Sequence, residues 1–393
     1  MLQDFSLRIA TQFIFGSDAQ RQIGARLKDD GITKVLIHHD GGDYLKASGL
    51  LPSVKEDLTS AGIAFVELGG VTPNPRLDLV REGISLAKTE GVDAVVAIGG
   101  GSVIDSAKAI GLGAASEADV WDYFRGKETP QATLPVAVIL TNPASGSESS
   151  QVVVINNPDE DTKLLISDPV VRPAYAFMNP ELTVTVPPFP TACGIVDMFS
   201  HICERYFSSD TSFDVVDYMA EGALRAIVHV GPLLMADPTN YNYRAEIMWA
   251  STIAQNNSLG VGHDQDWVTH TLANEMTALY DTPHGATLSI LMPAWMEAAY
   301  PHNPQRFARF AREVFGIRDE SMDNSVLARA GIAATTAFFQ SLGMPTSFAE
   351  MEIPTGDVDR MLDNVEFLGG DQAIGAVVRL PREACREIYT NSF

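Results

Sequence analysis

The apolar residues of this chain change their rhythm once. In the first half they come in short runs: KVLIHH (34–39), IAFVEL (63–68), DAVVAIGGG (93–101) and LPVAVIL (134–140) each read as a buried strand. Helical periodicity follows the first run to about Ser60, the second from Pro75 to Lys88, and the third in SVIDSAKAIGLG. Such alternation predicts a Rossmann-like parallel sheet with helices on both faces. Shorter strand-like pieces from QVVVIN (151–156) to AYAFMN (174–179) predict an antiparallel addition. After VPPFP (186–190), patterns of helical period take over, at about 190–208, 212–235, 241–259, 265–279 and 286–299, and run on to the C-terminus. We therefore expect an α/β domain over 1–186 and an all-helical domain over 187–393, divided at the prolines 187–188.

Charge narrows the functions open to such a chain. Against 27 basic residues stand 50 acidic ones, a formal net charge of −23. That field repels phosphate backbones and anionic lipid surfaces, so neither nucleic acid nor a membrane is an expected partner. An anionic ligand needs a local pocket of backbone amides or a placed lysine. Cys193, Cys203 and Cys385 show no spacing of a disulfide framework or zinc ribbon, which suits a reducing compartment and a cytoplasmic location. The opening MLQDFSLRIATQFIFG lacks the pattern of a signal peptide, and no charge-free apolar run of about 18 residues exists.

Three stretches offer parts of a nucleotide site. In AIGGGSVIDSAKAI, glycines close a strand and a helix starts at once, so backbone N–H groups and the helix dipole face any phosphate placed there. Gly99, Gly100 and Gly101 let the backbone approach closely, although glycines at such a turn also serve tight packing. The pattern is GGGS-x-x-D; a G-x-G-x-x-G fingerprint is absent. In TNPASGSE (141–148), Thr141 and Ser145 are placed to bond ribose or phosphate oxygens, or form an ordinary loop. After the first strand, HHDGGD puts Asp40 or Asp43 where a carboxylate accepts ribose hydroxyls and repels a 2′-phosphate. That favours NAD(H) over NADP(H).

A second constellation suits a metal. In IVDMFSHICE, Asp197 and His201 are i and i+4 and share a helix face, as a half-site for a divalent cation or a surface hydrogen bond. His270 and His284 are 284 − 270 = 14 residues apart, ~21 Å along an unbroken helix. They meet only if Asp281-Thr282-Pro283 turns the chain back. One oxygen and three nitrogens from these four residues suit Fe(II) or Zn(II), with room for a substrate oxygen.

The series GGGSVIDSAKAI, ASGSE, D-x-x-x-H, W-x-x-H and PHG resembles the iron-containing (group III) alcohol dehydrogenase family, and DWVTH its butanol-dehydrogenase-like branch. The similarity runs in order from TQFIFG (11–16) to at least LMPAW (291–295). It implies the two-domain, dehydroquinate-synthase-like architecture with the site in the interdomain cleft. It also implies Asp197, His201, His270 and His284 as metal ligands, with His270 and Asp197 acting in catalysis through the metal. By the same match the dinucleotide meets Asn74, Gly99, Gly100, Gly101, Ser102, Asp105, Thr141, Ser145 and Lys163, beside the Asp40 read from HHDGGD. The implied reaction is hydride transfer between a nicotinamide cofactor and a small primary alcohol or aldehyde, with the metal as Lewis acid. A homodimer or larger assembly is implied too, with the TQFIFG edge strand as a candidate contact. Two positions depart from the family pattern. Asn274 stands where this branch carries a second histidine, leaving a water, a cofactor hydroxyl or His263 to move a proton. Asp40 and Asp43 stand where NADP-using relatives have Gly or Ser. Rival readings are a polyol dehydrogenase of glycerol type, a lyase of the dehydroquinate-synthase kind, and a non-catalytic metal or nucleotide sensor. Trp267, three residues before His270, is expected to wall the site.

Overall fold

The computed structural model describes residues 2–160, 162–208, 213–319, 321–365, 367 and 372–393. The chain forms two compact units. One comprises Arg8–Val186 with Thr239–Met248; the other comprises Met1–Leu7, Pro187–Pro238 and Trp249–Phe393. Two short segments therefore lie on the other side of a simple cut at 186/187. Residues 2–7 join the helical unit, where Gln3 donates its backbone N–H to the Gly262 carbonyl (2.9 Å) and its amide to Asp264 (2.7 Å). Thr239–Met248 joins the α/β unit, where Met248 is fully buried in a core cluster of sheet and helix residues.

In the α/β unit the strands are β1 (Gln12–Phe15), β2 (Lys34–His39), β3 (Ala64–Leu68), β4 (Ala94–Gly100), β5 (Val136–Asn142), β6 (Val152–Asn157), β7 (Thr162–Ser167) and β8 (Tyr175–Met178). Six of them make an all-parallel sheet in the order β1-β8-β5-β4-β2-β3. Its helices are α1 (Ile23–Asp29), α2 (Asp43–Ala47), α3 (Leu50–Ala61), α4 (Leu77–Glu90), α5 (Gly101–Ala114) and α6 (Val120–Phe124). Alternate side chains of each strand feed opposite cores. Leu36, Val95, Ala97, Val136 and Val138 pack with α4 and α5, while Val35, Ile37, Val96, Ile98 and Ile139 pack with α1 and α3. A strand buried on both faces must be apolar throughout, which is why these runs show no alternation.

One expectation fails here. AYAFMN is no part of an antiparallel addition: β8 lies between β1 and β5, parallel to both. Ala176, Phe177 and Met178 are all fully buried, the mark of an inner parallel strand. Of the expected addition, β6 and β7 pair antiparallel, as a separate two-stranded sheet.

From β2 the chain adds β3 on one side, then returns to lay β4, β5 and β8 on the other. The order reverses between β2 and β4, and ligands of open α/β sheets bind beyond the carboxyl ends of the strands at such a point.

The helical unit is built from α7 (Pro188–Tyr206), α8 (Asp214–Ala236), the later part of α9 (Tyr241–Gln255), α10 (Val268–Tyr280), α11 (His284–Ala299), α12 (Pro304–Phe315), α13 (Asn324–Ser341), α14 (Val358–Asn364) and α15 (Arg382–Thr390). It is not wholly helical, since Ala373–Ile374 and Leu380–Pro381 form a small antiparallel ladder. By length and composition alone α8 is apolar enough to cross a membrane. Yet its buried Asp217 and Glu221 are ion-paired to Arg306 and Arg309 of α12. Arg306 also donates to the Tyr206 carbonyl through Nε (2.9 Å) and Nη2 (2.6 Å), tying the end of α7 to α12.

Candidate metal centre and nucleotide crevice

Asp197 and His201 lie one turn apart on α7, both nearly buried. After α10, Asp281 adopts a left-handed conformation (φ 52°) and stops the helix, and Thr282-Pro283 leads straight into α11 at His284. The turn expected at Asp281-Thr282-Pro283 is thus formed. Gly285 explains the placement of His284: a Cβ there would collide with the Cys193 carbonyl, so only glycine lets α11 start against α7, one turn before Asp197.

These elements bring all four sequence-derived residues to one point. From Asp197 Oδ1, His201 Nδ1 lies at 3.6 Å, His270 Nε2 at 3.6 Å and His284 Nε2 at 3.9 Å. Asp197, His201 and His270 each offer a donor within 4.8 Å of the others. Such separations are too long for hydrogen bonds. Donors around a cation bound at ~2.1 Å sit roughly 3.4 Å apart in a tetrahedron, close to the 3.6 Å from Asp197 Oδ1 to His201 and to His270, with His284 a little farther at 3.9 Å and outside the closest group of three. Asp197 Oδ1, His201 Nδ1 and His270 Nε2 are buried with no hydrogen-bond partner among the described residues. Stranding three polar atoms in this way is costly unless something joins them. The donor set fits a divalent cation.

A carboxylate not singled out from the sequence stands behind the cluster. Glu204, fully buried, accepts hydrogen bonds from the backbone N–H groups of Thr269 (2.6 Å) and His270 (3.2 Å) at the start of α10. Its other oxygen pairs with His270 Nδ1. One side chain thereby caps the helix and fixes the imidazole tautomer that leaves Nε2 facing Asp197. The signal was present as D-x-x-x-H-x-x-E, which puts Glu204 on the same face of α7 three residues after His201. Burial pulls the His270 pKa down, but Glu204 and Asp197 outweigh it and raise the group to about 9. His201 moves the opposite way, held well below its usual value by burial and by the neighbouring His270 and Arg205. Trp267 packs its ring 5.3 Å from that of His270 and 6.0 Å from that of His201, where a wall was expected. Asn274 lies half-buried one turn beyond His270, and His263 is buried in the preceding loop with Nδ1 3.0 Å from the Asp264 carbonyl.

The α/β unit has its own candidate site beyond β2, β4 and β5. Each glycine of the GGG turn has a packing reason. A Cβ on Gly99 would strike Val103, one on Gly100 would press on Asn142, and one on Gly101 would strike the Ser145 hydroxyl. Close packing of this turn and access for a phosphate both require glycine, so the two readings do not compete. Asp105 is committed within the protein, accepting from the Ser147 hydroxyl and from the Val154 N–H (3.0 Å). Buried Lys108 donates to the Ser147 hydroxyl (2.7 Å) and to the Ser150 and Val152 carbonyls (3.1 Å each), fixing the loop after β5. Lys163 donates to Asn74 (3.3 Å), joining two further candidates, and Asn74 sits at a left-handed φ of 56°. Asp40 accepts from the Gly42 N–H (2.9 Å) and from the Tyr44 hydroxyl (3.2 Å), which also lies 3.4 Å from Thr141 Oγ1. Asp43 opens α2 on the exposed side.

The chain has relatives among known proteins. The iron-containing alcohol dehydrogenase model matches residues 10–180, and the C-terminal model of the same family matches 191–383. The chain belongs to the iron-containing alcohol dehydrogenase family. It is 37% identical to the NADH-dependent butanol dehydrogenase A of Clostridium acetobutylicum over 99% of each chain. It is 33% identical to the NADPH-dependent aldehyde reductase YqhD of Escherichia coli, again over 99% of each. The crystal structure of an NADH-dependent butanol dehydrogenase A from Thermotoga maritima matches with a TM-score of 0.94 at 36% identity, covering 100% of this chain and 99% of that one. As a member of the iron-containing alcohol dehydrogenase family the protein is an oxidoreductase, an alcohol dehydrogenase or aldehyde reductase working with a divalent metal and a nicotinamide cofactor.

Proposed function

We propose that the protein interconverts small primary aliphatic alcohols and aldehydes, butyraldehyde among them, with NADH preferred to NADPH. Fe(II) or Zn(II) is held by Asp197, His201, His270 and His284. The observation that carries this is the convergence of three imidazoles on Asp197 Oδ1, with buried donors left unsatisfied. A divalent cation held there supplies Lewis acidity to an alcohol or carbonyl oxygen. Glu204 holds the His270 ring for that task, and Trp267 lines the pair of imidazoles with apolar surface. Asn274 has no titrating proton, so the proton path of this chain does not run through that position.

The NADH preference is supported by Asp40, whose carboxylate is fixed at the end of β2 where a 2′-phosphate would be repelled. Two of the relatives named above are NADH-dependent by name and one is NADPH-dependent. We further propose a homodimer. Among the described residues the edge strand β1 pairs with β8 alone and leaves Phe15 exposed, and the residues before it expose Phe5, Leu7 and Ile9. Light scattering of the purified protein tests this. Three unpaired cysteines support a cytoplasmic location, which cell fractionation tests.

The deciding experiment strips the protein with a chelator and reloads it anaerobically with Fe(II) or Zn(II). Butyraldehyde and dihydroxyacetone are then offered with NADH and NADPH side by side. Metal-dependent butyraldehyde reduction, faster with NADH, is expected. Preference for the polyol substrate would move the assignment to a glycerol-type enzyme, and no turnover with any combination would overturn it.

A further inference from the structure

Tyr44 lies in a place that neither the sequence motifs nor the cofactor contacts proposed above account for. It is the second residue of α2, immediately after β2, and its side chain is half-buried. Its hydroxyl donates to Asp40 Oδ2 (3.2 Å) and lies 3.4 Å from Thr141 Oγ1. Thr141 belongs to β5, and in the sheet β4 stands between β2 and β5. The register puts His39 opposite Ile98, and Gly99 and Gly100 opposite Leu140 and Asn142. A side chain rooted after β2 that reaches Thr141 therefore crosses the carboxyl end of β4, over the glycine turn. It bars the crevice at the point where the strand order reverses.

The bar is rigid for reasons visible in its surroundings. Asp40 is gripped from both sides, Oδ1 by the Gly42 N–H (2.9 Å) and Oδ2 by Tyr44. A Cβ on Gly42 would strike the Tyr44 ring, so that glycine makes room for it. His39 accepts the Gly41 N–H (2.9 Å) and faces Glu67 (3.0 Å), fixing the turn from behind. Burial of the ring, with the Asp40 charge beside it, pushes the phenol up to about 12, so the hydroxyl remains a donor at any working pH.

We infer that Tyr44 is a positioning residue for cofactor choice: by holding the Asp40 carboxylate in place, it prevents the carboxylate from swinging aside to admit a 2′-phosphorylated ribose. This rests on the dinucleotide reading of the crevice. A free aspartate rotates its charge away from an incoming phosphate at little cost, whereas one held by two hydrogen bonds must break a charge-assisted bond first.

The test is direct binding, read by fluorescence titration of NADH and of NADPH on the metal-loaded protein, with no substrate present. In Tyr44→Phe the ratio of the two dissociation constants should move toward NADPH by roughly tenfold. Tyr44→Leu should do the same. In an Asp40→Gly background, Tyr44→Phe should shift the ratio no further, because there is no carboxylate left to hold. An unchanged ratio, equal weakening of both cofactors, or a full effect in the Asp40→Gly background would each overturn the inference. Failure of the unaltered protein to bind either dinucleotide would instead sink the dinucleotide reading itself.

Discussion

The Glu204 carboxylate holds His270 twice, by its backbone and by its ring. One oxygen takes the amides that open α10, and the other takes Nδ1. The imidazole and the helix that carries it are therefore aimed by one buried group on α7. Glu204→Gln keeps the shape but reverses one hydrogen-bond role. Zn(II) affinity measured by chelator competition should fall about 10- to 100-fold, while far-ultraviolet dichroism stays the same. An unchanged affinity would mean that α10 is aimed by packing alone.

His270→Ala removes a ligand and leaves Asp197 with two imidazoles. Metal content by atomic absorption and aldehyde turnover should both be lost, and the fold should persist, since Glu204 still holds the backbone amides that open α10. Retained stoichiometric metal would break the ligand assignment.

Metal uptake should also depend on pH in a stated direction. Burial opposes protonation of His270, yet Glu204 and Asp197 together lift its pKa to about 9 in the metal-free protein. A cation must displace that proton. Apparent affinity should climb as pH rises toward 9, with proton release detectable in calorimetry run in buffers of different ionisation enthalpy. A flat profile between pH 7 and 9 would contradict it.

Acid should find a weak point elsewhere, at His38. Its ring is buried between the Leu68 carbonyl (2.9 Å) and the Ser106 hydroxyl (2.8 Å), and burial lowers its pKa from 6.5 to about 4. The unfolded chain takes up this proton first. The contribution to stability is thus complete above pH 6.5 and is lost as pH falls through 4, roughly 3 kcal/mol in all. Urea unfolding at a series of pH values, compared with His38→Asn, should show a shallower acid slope in the variant.

Arg306 carries the structural counterpart. Enclosed between Asp217 and the Tyr206 carbonyl, it neutralises a buried carboxylate. Arg306→Met leaves Asp217 with Arg309 alone, at 3.3 Å, and should cost about 1–3 kcal/mol in denaturant unfolding. Pairing it with Asp217→Asn should recover much of the loss.

What could be read in advance follows from which forces act locally. Parallel strands announced themselves because burial on both faces demands continuous apolar runs, and Asp197 with His201 because helical spacing fixes their common face. AYAFMN misled because an isolated apolar run carries its place in the sheet only through its partners, and β1 and β5 are far away in sequence. Glu204 was legible as D-x-x-x-H-x-x-E but lacked a reason until α10 was seen to start beside it. Tyr44 was not legible: its bond to Asp40 is local, but its place across the end of β4 depends on a hydroxyl 97 residues along the chain.

The excursion of Thr239–Met248 into the α/β unit, together with the placement of residues 2–7 in the helical one, bears on how this protein can be inherited and cut. Separating the chain between Val186 and Pro187 leaves the first piece without Thr239–Met248, whose Met248 is buried in its core, and the second without residues 2–7, which bond to its Gly262 and Asp264. Neither half is a free-standing cassette to be shuffled onto a new partner. On the ribosome, the α/β unit cannot finish its core until Met248 has emerged, well after its last strand.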